Sequence, residues 1–373
     1  FVFIDADKRH YTEFYEMLLP RMRPGGFILA DNTLWYGHVV EAETRQSDLQ
    51  TLGIKAFNDM LANDERVEKA IVPIRDGLTK SIINMSEIMM DKRINRIADT
   101  LTNRPKIRVV LIAGPSSSGK TTFSKRLSLH LMANGLKPYP ISLDDYFVNR
   151  DRTPHDENGE FDYESVYALD LDLFNTHINS LLQGDEVELP RYDFPTGTSQ
   201  PSGKRLRLED DMVLLREGIH GLNPLLTSQI SDHVKFKIYI SSLMPININK
   251  ESMVSRTDSR LVRRILRDNR YRGTTAQQTI ARWPSVRRGE DKWIFPFQQN
   301  ADVEFNSVQF YELSVLRNRV LPLLDEVKPD MAEHEVAERL RRMLMQFEPI
   351  EDIGLLPPVS LLREFIGGSS FKY

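Results

Sequence analysis

The chain has 373 residues, of which 40% are hydrophobic and 27% charged, a composition that predicts about two folded domains and excludes a disordered chain. The formal net charge of −4 gives no reason to expect nucleic acid or a membrane as a partner, and no apolar run approaches the roughly 18 residues that would span a bilayer. Cysteine is absent, which excludes disulfides, thiolate metal sites and a cysteine nucleophile and fits a cytoplasmic protein.

The first 84 residues alternate strand-like and helix-like runs. Buried strands are predicted at residues 1–4 and 26–30, and helices at residues 11–22 and 48–63. A hairpin is predicted from strands at residues 70–74 and 79–83, because the Asp76-Gly77 pair between them favours a tight turn. Since the chain begins inside a predicted strand, we expect its N-terminus to be truncated.

A helix at residues 85–104 is predicted to connect this stretch to the rest of the chain. Its apolar stripe at helical spacing consists of Met90, Ile94, Ile97 and Leu101. From residue 107 onward, short apolar strands alternate with helices, which predicts a parallel sheet covered by helices on both faces. The predicted strands lie at residues 109–113, 140–143, 212–215 and 235–240. A helix is predicted at residues 120–134, with Gly135 placed as its C-cap glycine.

The segment from Gly114 to Thr121 reads Gly-Pro-Ser-Ser-Ser-Gly-Lys-Thr and matches the pattern G-x-x-x-x-G-K-[ST]. It follows a predicted strand and opens a predicted helix, which is the context that a phosphate-binding loop requires. Lys120 is expected to reach the β- and γ-phosphates, and the Thr121 hydroxyl to bind Mg²⁺. The residues predicted to bind the nucleotide are Gly114, Pro115, Ser116, Ser117, Ser118, Gly119, Lys120, Thr121 and Thr122. This P-loop alone predicts a nucleoside triphosphate site and leaves kinase, GTPase and motor open.

Three carboxylates follow predicted strands of the same sheet. Asp144 and Asp145 follow the strand at residues 140–143, and Glu217 follows the strand at residues 212–215. Because the carboxyl ends of parallel strands face one crevice, we expect these side chains near the γ-phosphate. One carboxylate there can accept a proton from an attacking hydroxyl, and others can bind Mg²⁺. A solvated acidic turn or an exposed glutamate is the alternative, and His220 nearby is expected to be structural.

Four arginines share one face of a predicted helix, because Arg260, Arg263, Arg264 and Arg267 stand at helical spacing. Arg272 follows them. Like charges on one face repel each other, so we expect an anionic partner, and a polyphosphate suits guanidinium groups well. Pairing with acidic residues elsewhere in the chain is the alternative.

These segments occur in an order that resembles the uridine kinase and phosphoribulokinase family. The resemblance spans residues 107–307 and rests on the P-loop, residues 144–147, 161–163, 189–194 and 217–219, and the arginine-rich segment 260–273. Residues 293–297, 301–302 and 361–370 resemble a bacterial uridine kinase-like subgroup. The resemblance implies an α/β P-loop NTPase fold with an arginine-rich helical lid. It also implies ATP, Mg²⁺ and phosphorylation of a nucleoside 5′-hydroxyl such as that of uridine or cytidine.

The same resemblance implies roles for single residues. The expected catalytic residues are Asp144 as the base, Lys120 and Arg267. The expected substrate contacts are Asp162 for the ribose hydroxyls, Tyr192 for the base, and Arg264 and Arg272 for phosphates. The expected Mg²⁺ site comprises Thr121, Glu217 and Asp145. One departure concerns the base, because the family typically carries a histidine shortly after Tyr-Asp-Phe, and residues 195–198 contain none.

Residues 1–84 resemble the C-terminal part of a cation-dependent O-methyltransferase of the caffeoyl-CoA type, through segments 3–8, 24–26, 31–37 and 73–78. The resemblance implies a partial Rossmann-like α/β fragment in which Asp5, Asp31 and Asn32 bind a divalent cation. The family's glycine-rich S-adenosylmethionine loop belongs upstream of these segments. A site needs its whole set of contacts, so we expect no methyl transfer from this fragment. The join near residues 84–85 is expected to be an accident of gene assembly rather than a natural fusion.

The expected division is a methyltransferase-like fragment at residues 1–84, a connecting helix at 85–104 and a kinase domain at 105–373. Three functions remain open at this point: a nucleoside kinase, an S-adenosylmethionine-dependent O-methyltransferase, and a non-catalytic NTP-binding regulatory module. A GTPase would want a base-reading Asn-Lys-x-Asp motif, which the sequence lacks. The expected partners are ATP and a nucleoside, and assembly into a homo-oligomer is compatible with the sequence.

Overall fold

The computed structural model describes residues 1–33, 35–40, 44–69, 77–155, 159, 161–193, 195–243 and 255–372. The chain divides into two compact units, Phe1–Ser81 and Ile82–Tyr373. None of the helices in the described ranges is both long and apolar enough to cross a membrane. Leu34, residues 70–76 and Phe194, which belong to segments used in the predictions above, lie outside the described residues.

The first unit contains a short parallel sheet of two strands in its described part. Strands β1 (Val2–Ile4) and β2 (Ile28–Ala30) pair with Ile4 opposite Ala30. The prediction that these segments are buried holds for Ile4 but is wrong for Phe1, Phe3 and Phe27, which are 62%, 48% and 42% exposed. Among the described residues each of these strands has only one neighbour, which leaves much of its surface open to solvent.

Two helices supply most of the first unit's core. Helix α1 (Tyr11–Leu18) continues as a 3₁₀ turn at Leu19–Arg21, and helix α2 (Leu49–Ala62) matches the predicted helix at residues 48–63. The Asp48 side chain accepts a hydrogen bond from the Thr51 amide and so caps α2. The fully buried side chains of this core are Ile4, Tyr11, Tyr15, Ile54 and Phe57.

A long helix, α3 (Gly77–Thr102), follows where the sequence predicted a strand and then a shorter helix. The predicted strand at residues 79–83 is wrong, and the predicted strand at 70–74 lies outside the described residues. The apolar stripe continues N-terminally to Ile83, which is buried together with Met90, Ile94 and Leu101 in the main core of the second unit. Burial along one helix face therefore outweighs the strand preference predicted for residues 79–83.

The second unit contains seven strands in its described part. In chain order they are β3 (Val109–Ala113), β4 (Lys137–Ser142), β5 (Glu186–Asp193), β6 (Thr198–Arg207), β7 (Met212–Glu217), β8 (Lys235–Ser241) and β9 (Val303–Asn306). Five of them form a sheet in the order β4-β7-β3-β8-β9, in which every neighbouring pair is parallel. The predicted parallel sheet is thus confirmed, and β3 lies at its centre.

Helices cover both faces of this sheet. In chain order they are α4 (Lys120–Ala133), α5 (Leu171–Leu182), α6 (Arg256–Arg272), α7 (Ala276–Trp293), α8 (Glu312–Leu324), α9 (His334–Leu344) and α10 (Arg363–Ile366). Alternate residues of β3 face opposite layers: Val109 and Leu111 pack with α5, whereas Val110 and Ile112 pack with α3 and the remaining helices.

Strands β5 and β6 form a separate antiparallel hairpin. No strand was predicted there, because Pro190 lies inside the first strand and proline weakens a strand signal. The register shifts between Glu188 and Pro190, which accommodates the proline as a local irregularity.

Candidate active site

The P-loop joins the end of β3 to the start of α4. Gly114 packs so closely against β8 that a Cβ atom placed on it would lie 2.3 Å from the Ile240 carbonyl oxygen. Ser117 (φ 59°) and Gly119 (φ 84°) adopt left-handed backbone conformations just before α4 begins at Lys120. A chain curled in this way presents main-chain amides to an anion at the positive end of the helix.

Lys120 folds back over this loop. Its Nζ donates hydrogen bonds to the carbonyl oxygens of Gly114, over 2.8 Å, and Pro115, over 3.0 Å. Burial lowers the pKa of Lys120, and the carboxylates of Glu217 and Glu364 oppose that shift. The ammonium group therefore lies within the loop, beside carboxylates that favour its charged form.

Strand β7 brings a carboxylate to the P-loop. Glu217 ends β7 and is paired in register with Ile112 of β3 and Ser142 of β4. The Thr121 hydroxyl donates to Glu217 Oε1 over 3.0 Å, while Glu217 Oε2 is buried without a hydrogen-bond partner. Burial raises the pKa of Glu217, and Lys120 counteracts this shift. A buried carboxylate oxygen beside a P-loop hydroxyl is the oxygen-rich environment that Mg²⁺ prefers.

Asp144 and Asp145 lie in a 3₁₀ turn, Asp144–Tyr146, directly after β4. The pairing of Ser142 with Glu217 places this turn at the same edge of the sheet as the P-loop. Neighbouring strands lie about 4.8 Å apart, so the turn and the loop are separated by the width of β7. The sheet therefore brings together the carboxylates that the sequence predicted at strand ends.

The two aspartates have different surroundings. Asp144 is exposed to solvent, yet nearby protein atoms partly desolvate its carboxyl group, which raises its pKa. The Arg216 guanidinium opposes that shift and Asp145 reinforces it. Asp145 Oδ1 accepts a hydrogen bond from the Tyr192 amide over 3.5 Å, which ties the turn to β5.

Arg216 is a buried cation close to this turn. It donates a hydrogen bond to the Ile141 carbonyl oxygen, and its Cζ lies 5.3 Å from the centre of the Phe174 ring. Its Nε and Nη2 atoms are buried without a hydrogen-bond partner. Burial lowers its pKa to about 9.

The arginines of α6 divide into two groups. In the first group, Arg260 pairs with Glu290 of α7 and Arg263 with Glu312 of α8, with nitrogen–oxygen distances of 2.9 Å and 2.6 Å. All four side chains are buried. For this group the alternative of pairing with acidic residues applies, because each buried guanidinium is neutralised by a buried carboxylate.

In the second group, Arg264, Arg267 and Arg272 surround one buried carboxylate, Asp268. Their closest nitrogen atoms lie 3.1, 2.9 and 3.4 Å from its oxygens. Burial lowers the pKa of Arg264 and Arg272, and repulsion from Arg267 adds to both shifts. Arg264 Nη1 also donates to the Ser116 hydroxyl of the P-loop over 2.7 Å. This cluster therefore carries an excess of positive charge next to the loop.

Residues 109–314 match the model of the Phosphoribulokinase / Uridine kinase family. The match covers more than half of the chain and includes the P-loop, the strand-end carboxylates and the arginine-rich helix. The chain belongs to this family. Membership implies a kinase that uses ATP and, in general, a divalent cation.

Several known proteins are similar to rather more than half of this chain. The uridine kinase of Macrococcus caseolyticus (strain JCSC5402) is 30% identical over 199 residues, which cover 53% of this chain and 87% of the relative. The uridine kinase of Anoxybacillus flavithermus (strain DSM 21510 / WK1) is 29% identical over 201 residues, covering 54% and 86%. A solved chain described as a possible uridine kinase from Bacillus stearothermophilus is 22% identical, covers 58% of this chain and 98% of its own, and has a TM-score of 0.39.

Residues 1–82 match the model of an O-methyltransferase family. Asp5 and Asp31 follow the ends of β1 and β2, and the Asp31 amide donates to the Ile4 carbonyl oxygen over 3.0 Å. Asp5 accepts a hydrogen bond from Lys8 Nζ over 2.9 Å, and the Asn32 amide donates to Asp31 Oδ1 over 2.8 Å. Within the described ranges, no three His, Cys, Asp or Glu side chains are grouped so that they could hold a metal ion. Cation binding by Asp5, Asp31 and Asn32 stays a prediction.

Aromatic rings lie beside the turn that carries the two aspartates. The centre of the Phe147 ring is 5.5 Å from that of Tyr192 and 6.0 Å from that of Tyr163. Asp162 precedes Tyr163 in the chain, and its Oδ1 accepts a hydrogen bond from the Glu164 amide over 3.1 Å. Asp162 is thus the sequence neighbour of Tyr163, and the rings of Tyr163 and Tyr192 both pack on Phe147.

Within residues 195–198, where the family resemblance led us to expect a histidine, Gly197 packs against the side chain of Arg150. Gly197 has a φ of +70°, and a Cβ atom placed on it would lie 2.7 Å from Arg150 Nε. The Arg150 amide donates to the Gly197 carbonyl oxygen over 2.8 Å. The arginine side chain therefore fills the space that a side chain at position 197 would take, which the sequence alone did not indicate.

Sequence reasoning also missed two carboxylates that contact the P-loop and the first turn of α4. Glu290 Oε1 accepts a hydrogen bond from the Ser116 amide over 2.9 Å. Glu364 Oε2 accepts from the Thr122 hydroxyl over 2.6 Å and from its amide over 3.3 Å. Neither glutamate follows a strand of the sheet, so the rule that located Asp144 could not find them. The subgroup-like segment 361–370 was the available signal for Glu364.

His220, expected to be structural, is buried and packs edge-on against Trp293 with ring centres 6.1 Å apart. Burial lowers its pKa to about 4. A histidine that stays neutral at physiological pH inside the protein fits that expectation.

Proposed function

We propose that the chain transfers the γ-phosphoryl group of ATP to the 5′-hydroxyl of a nucleoside of the uridine or cytidine type. The observation that carries this proposal is the shared sheet edge at which Asp144, Glu217 and the P-loop meet. Support for a nucleoside comes from relatives named uridine kinase at 29% and 30% identity.

The P-loop is the proposed site of the triphosphate. Main-chain amides within residues 117–121 and the Lys120 ammonium would bind the phosphate oxygens. Thr121 and Glu217 would hold Mg²⁺, with Asp145 as a further proposed contact. Magnesium in kinases commonly takes one or two protein oxygens and completes its shell with phosphates and water, so this small donor set is sufficient. When bound, the cation supplies positive charge to the phosphate oxygens.

Asp144 is the proposed base. Its carboxylate would accept the proton of the 5′-hydroxyl while that oxygen forms a bond to the γ-phosphorus and the bond to the β-phosphate bridging oxygen breaks. The products are the nucleoside 5′-phosphate, ADP and a proton that Asp144 passes to water. Its raised pKa and its access to solvent both suit a group that takes up and releases a proton.

The remaining proposed contacts hold the two substrates in place. Asp162 would accept hydrogen bonds from the ribose hydroxyls, and Tyr192 would line the pocket for the base. Arg264, Arg267 and Arg272 would stabilise charge on the transferring phosphoryl group, since guanidinium groups bind such oxygens in pairs.

A coupled assay of ADP release with a panel of nucleosides tests this function. We expect acceptor-dependent ADP release with uridine or cytidine and its loss in Asp144→Asn, by about a hundredfold or more for a missing base. ATP binding should be kept in that variant. The exposed Asp151 gives a matched control, because Asp151→Asn removes a carboxylate outside the proposed site.

One result would contradict the proposal, and a second would support an additional activity. If ATP binds and no nucleoside, ribulose phosphate or similar alcohol accelerates its turnover, the chain is a non-catalytic NTP-binding module. Transfer of a methyl group from S-adenosylmethionine to a catechol would instead support the methyltransferase alternative for residues 1–82.

A further inference from the structure

A segment beyond the family match packs directly on the P-loop. Leu361 is completely buried, and a Cβ atom placed on Gly119 would come within 2.7 Å of its side chain. Gly119 also has a left-handed φ of 84°, so two independent constraints exclude a side chain there. Leu361 therefore belongs to the surface against which the P-loop is shaped.

The same segment supplies a carboxylate to the first turn of α4. Glu364 Oε2 accepts a hydrogen bond from the Thr122 hydroxyl over 2.6 Å and a longer one, 3.3 Å, from its amide. The amides of a first helical turn have no partner within their own helix. A carboxylate at that end is also favoured by the helix dipole. Glu364 thus acts on α4 as a capping side chain would, from 242 residues away in sequence.

This segment is held rigidly. The Arg363 Nη2 atom donates to the carbonyl oxygens of Ile353 and Leu356, each over 2.7 Å. The Phe365 ring is fully buried, and the Arg263 guanidinium lies 5.3 Å from its centre. Arg263 in turn donates to the Ser117 carbonyl oxygen of the P-loop over 3.3 Å. The P-loop and the segment therefore share one buried support.

Glu364 contacts the first turn of α4 from the side that faces the protein interior. Thr122 is completely buried and Glu364 is 9% exposed, whereas Ser116, Lys120 and Thr121 keep partial access to solvent. A triphosphate must approach from the accessible side. Glu364 is thus placed to support the loop from behind and not to occupy the position of a phosphate.

We propose that residues 356–370 are a built-in part of the nucleotide site and that Glu364 is a positioning residue, which sets the first turn of α4 through Thr122. The family match ends at residue 314, so this support is an addition to the matched kinase region. The proposal rests on the proposed use of ATP and is independent of which alcohol accepts the phosphoryl group. It predicts a defect in ATP binding that leaves acceptor binding unchanged.

Titration of the full-length chain with MgATP, by calorimetry and without acceptor, tests the proposal. We expect Glu364→Ala to weaken ATP binding about tenfold, the size expected when a charge-assisted hydrogen bond is lost. Glu364→Gln should keep most of the affinity, because its amide oxygen can still accept from Thr122. The exposed Glu348 provides the matched control, as Glu348→Gln changes the same charge nearby in sequence.

Steady-state kinetics provides the second readout. We expect the KM for ATP to rise in Glu364→Ala while the KM for the nucleoside stays within twofold. Thr122→Val should weaken ATP binding similarly, and adding Glu364→Ala to it should have a smaller further effect. If Glu364→Ala fails to fold, Thr122→Val and Glu364→Gln carry the test.

Unchanged ATP affinity in Glu364→Ala and Thr122→Val would overturn the proposal, and so would tighter binding, which would make Glu364 a competitor of the phosphates. A chain that binds ATP but phosphorylates no nucleoside would refute the proposed function alone. In that case the titration still decides the role of Glu364.

Discussion

Asp144 lies between two charges of opposite sign. Burial raises the pKa of its carboxyl group, the neighbouring Asp145 adds to that shift, and the Arg216 guanidinium opposes it. A base must be deprotonated before it can accept a proton, so activity should fall as the pH drops through this raised pKa. The acid limb of the pH–rate profile is therefore expected at a pH above the ordinary aspartate pKa of about 3.9.

Two variants should move that limb in opposite directions. Arg216→Met removes the cation that favours the charged form, so it should shift the limb to higher pH. Asp145→Asn removes a like charge and should shift it to lower pH. The measurement is kcat/KM for the acceptor as a function of pH. Identical profiles for both variants and the parent chain would show that Asp144 does not control this limb.

At the scale of single residues, the sequence predicted the positions of those side chains that follow strands of the parallel sheet. Carboxylates after parallel strands were predicted to meet at one edge, and Glu217 and Asp144 do so. Glu364 could not be located in this way, because its contact with Thr122 depends on how a distant segment packs. The occupant of the space at Gly197 was equally hidden, since it is the side chain of Arg150.

Helix α6 carries arginines of two kinds on neighbouring turns: some form buried ion pairs that stabilise the fold, and others add positive charge beside the P-loop. Arg260 is buried against Glu290, whereas Arg267 is partly exposed and pairs with Asp268. Removing one partner of a buried ion pair leaves the other charge unpaired and costs about 3–5 kcal/mol. Removing a partly exposed arginine costs much less stability.

These differences predict separable effects. Arg260→Ala should lower the free energy of unfolding by about 3 kcal/mol, because the buried Glu290 loses its two-point partner and keeps only the partly exposed Arg287 as a cation. Arg267→Ala should change that free energy by less than about 1 kcal/mol and lower the rate of phosphoryl transfer instead. Urea unfolding and steady-state assays of both variants measure the contrast. Equal losses of stability would refute the division of α6 into two groups.

Spacing along α6 predicted a shared face but could not say which arginines become buried. That outcome depends on Glu290 and Glu312, which come from other helices. The same limit explains α3, where a local turn signal suggested a hairpin. The apolar face of the helix instead found a large core in which to pack. Elements with a long, regular pattern were predicted well, whereas those decided by distant partners were not.

On the scale of the whole molecule, α3 is part of the kinase unit's core. Glu87 accepts hydrogen bonds from the Tyr311 hydroxyl, over 2.6 Å, and from Arg126 Nη1, over 2.9 Å. All three side chains are buried or nearly so, and Met90 packs beside them. The region matched by the family model begins only at residue 109, so this support lies outside it.

Two shortened chains test where the kinase unit begins. A chain that starts at Ile82 keeps Glu87 and the apolar stripe, and we expect it to fold and to retain ADP release. A chain that starts at Arg104 leaves Arg126 buried without Glu87, and we expect a loss of several kcal/mol and poor recovery of folded protein. Thermal unfolding measures both. Equal stability of the two chains would contradict a structural role for α3.

The contact between Thr122 and Glu364 also has a consequence for biosynthesis. Its two ends leave the ribosome far apart in time, because 242 residues separate them. A nascent chain can display the phosphate-binding motif early, but it acquires the carboxylate behind that motif only after the helices that follow have been translated. A premature stop codon after α9 would therefore yield a protein that contains the whole region matched by the family model and is expected to bind its nucleotide weakly.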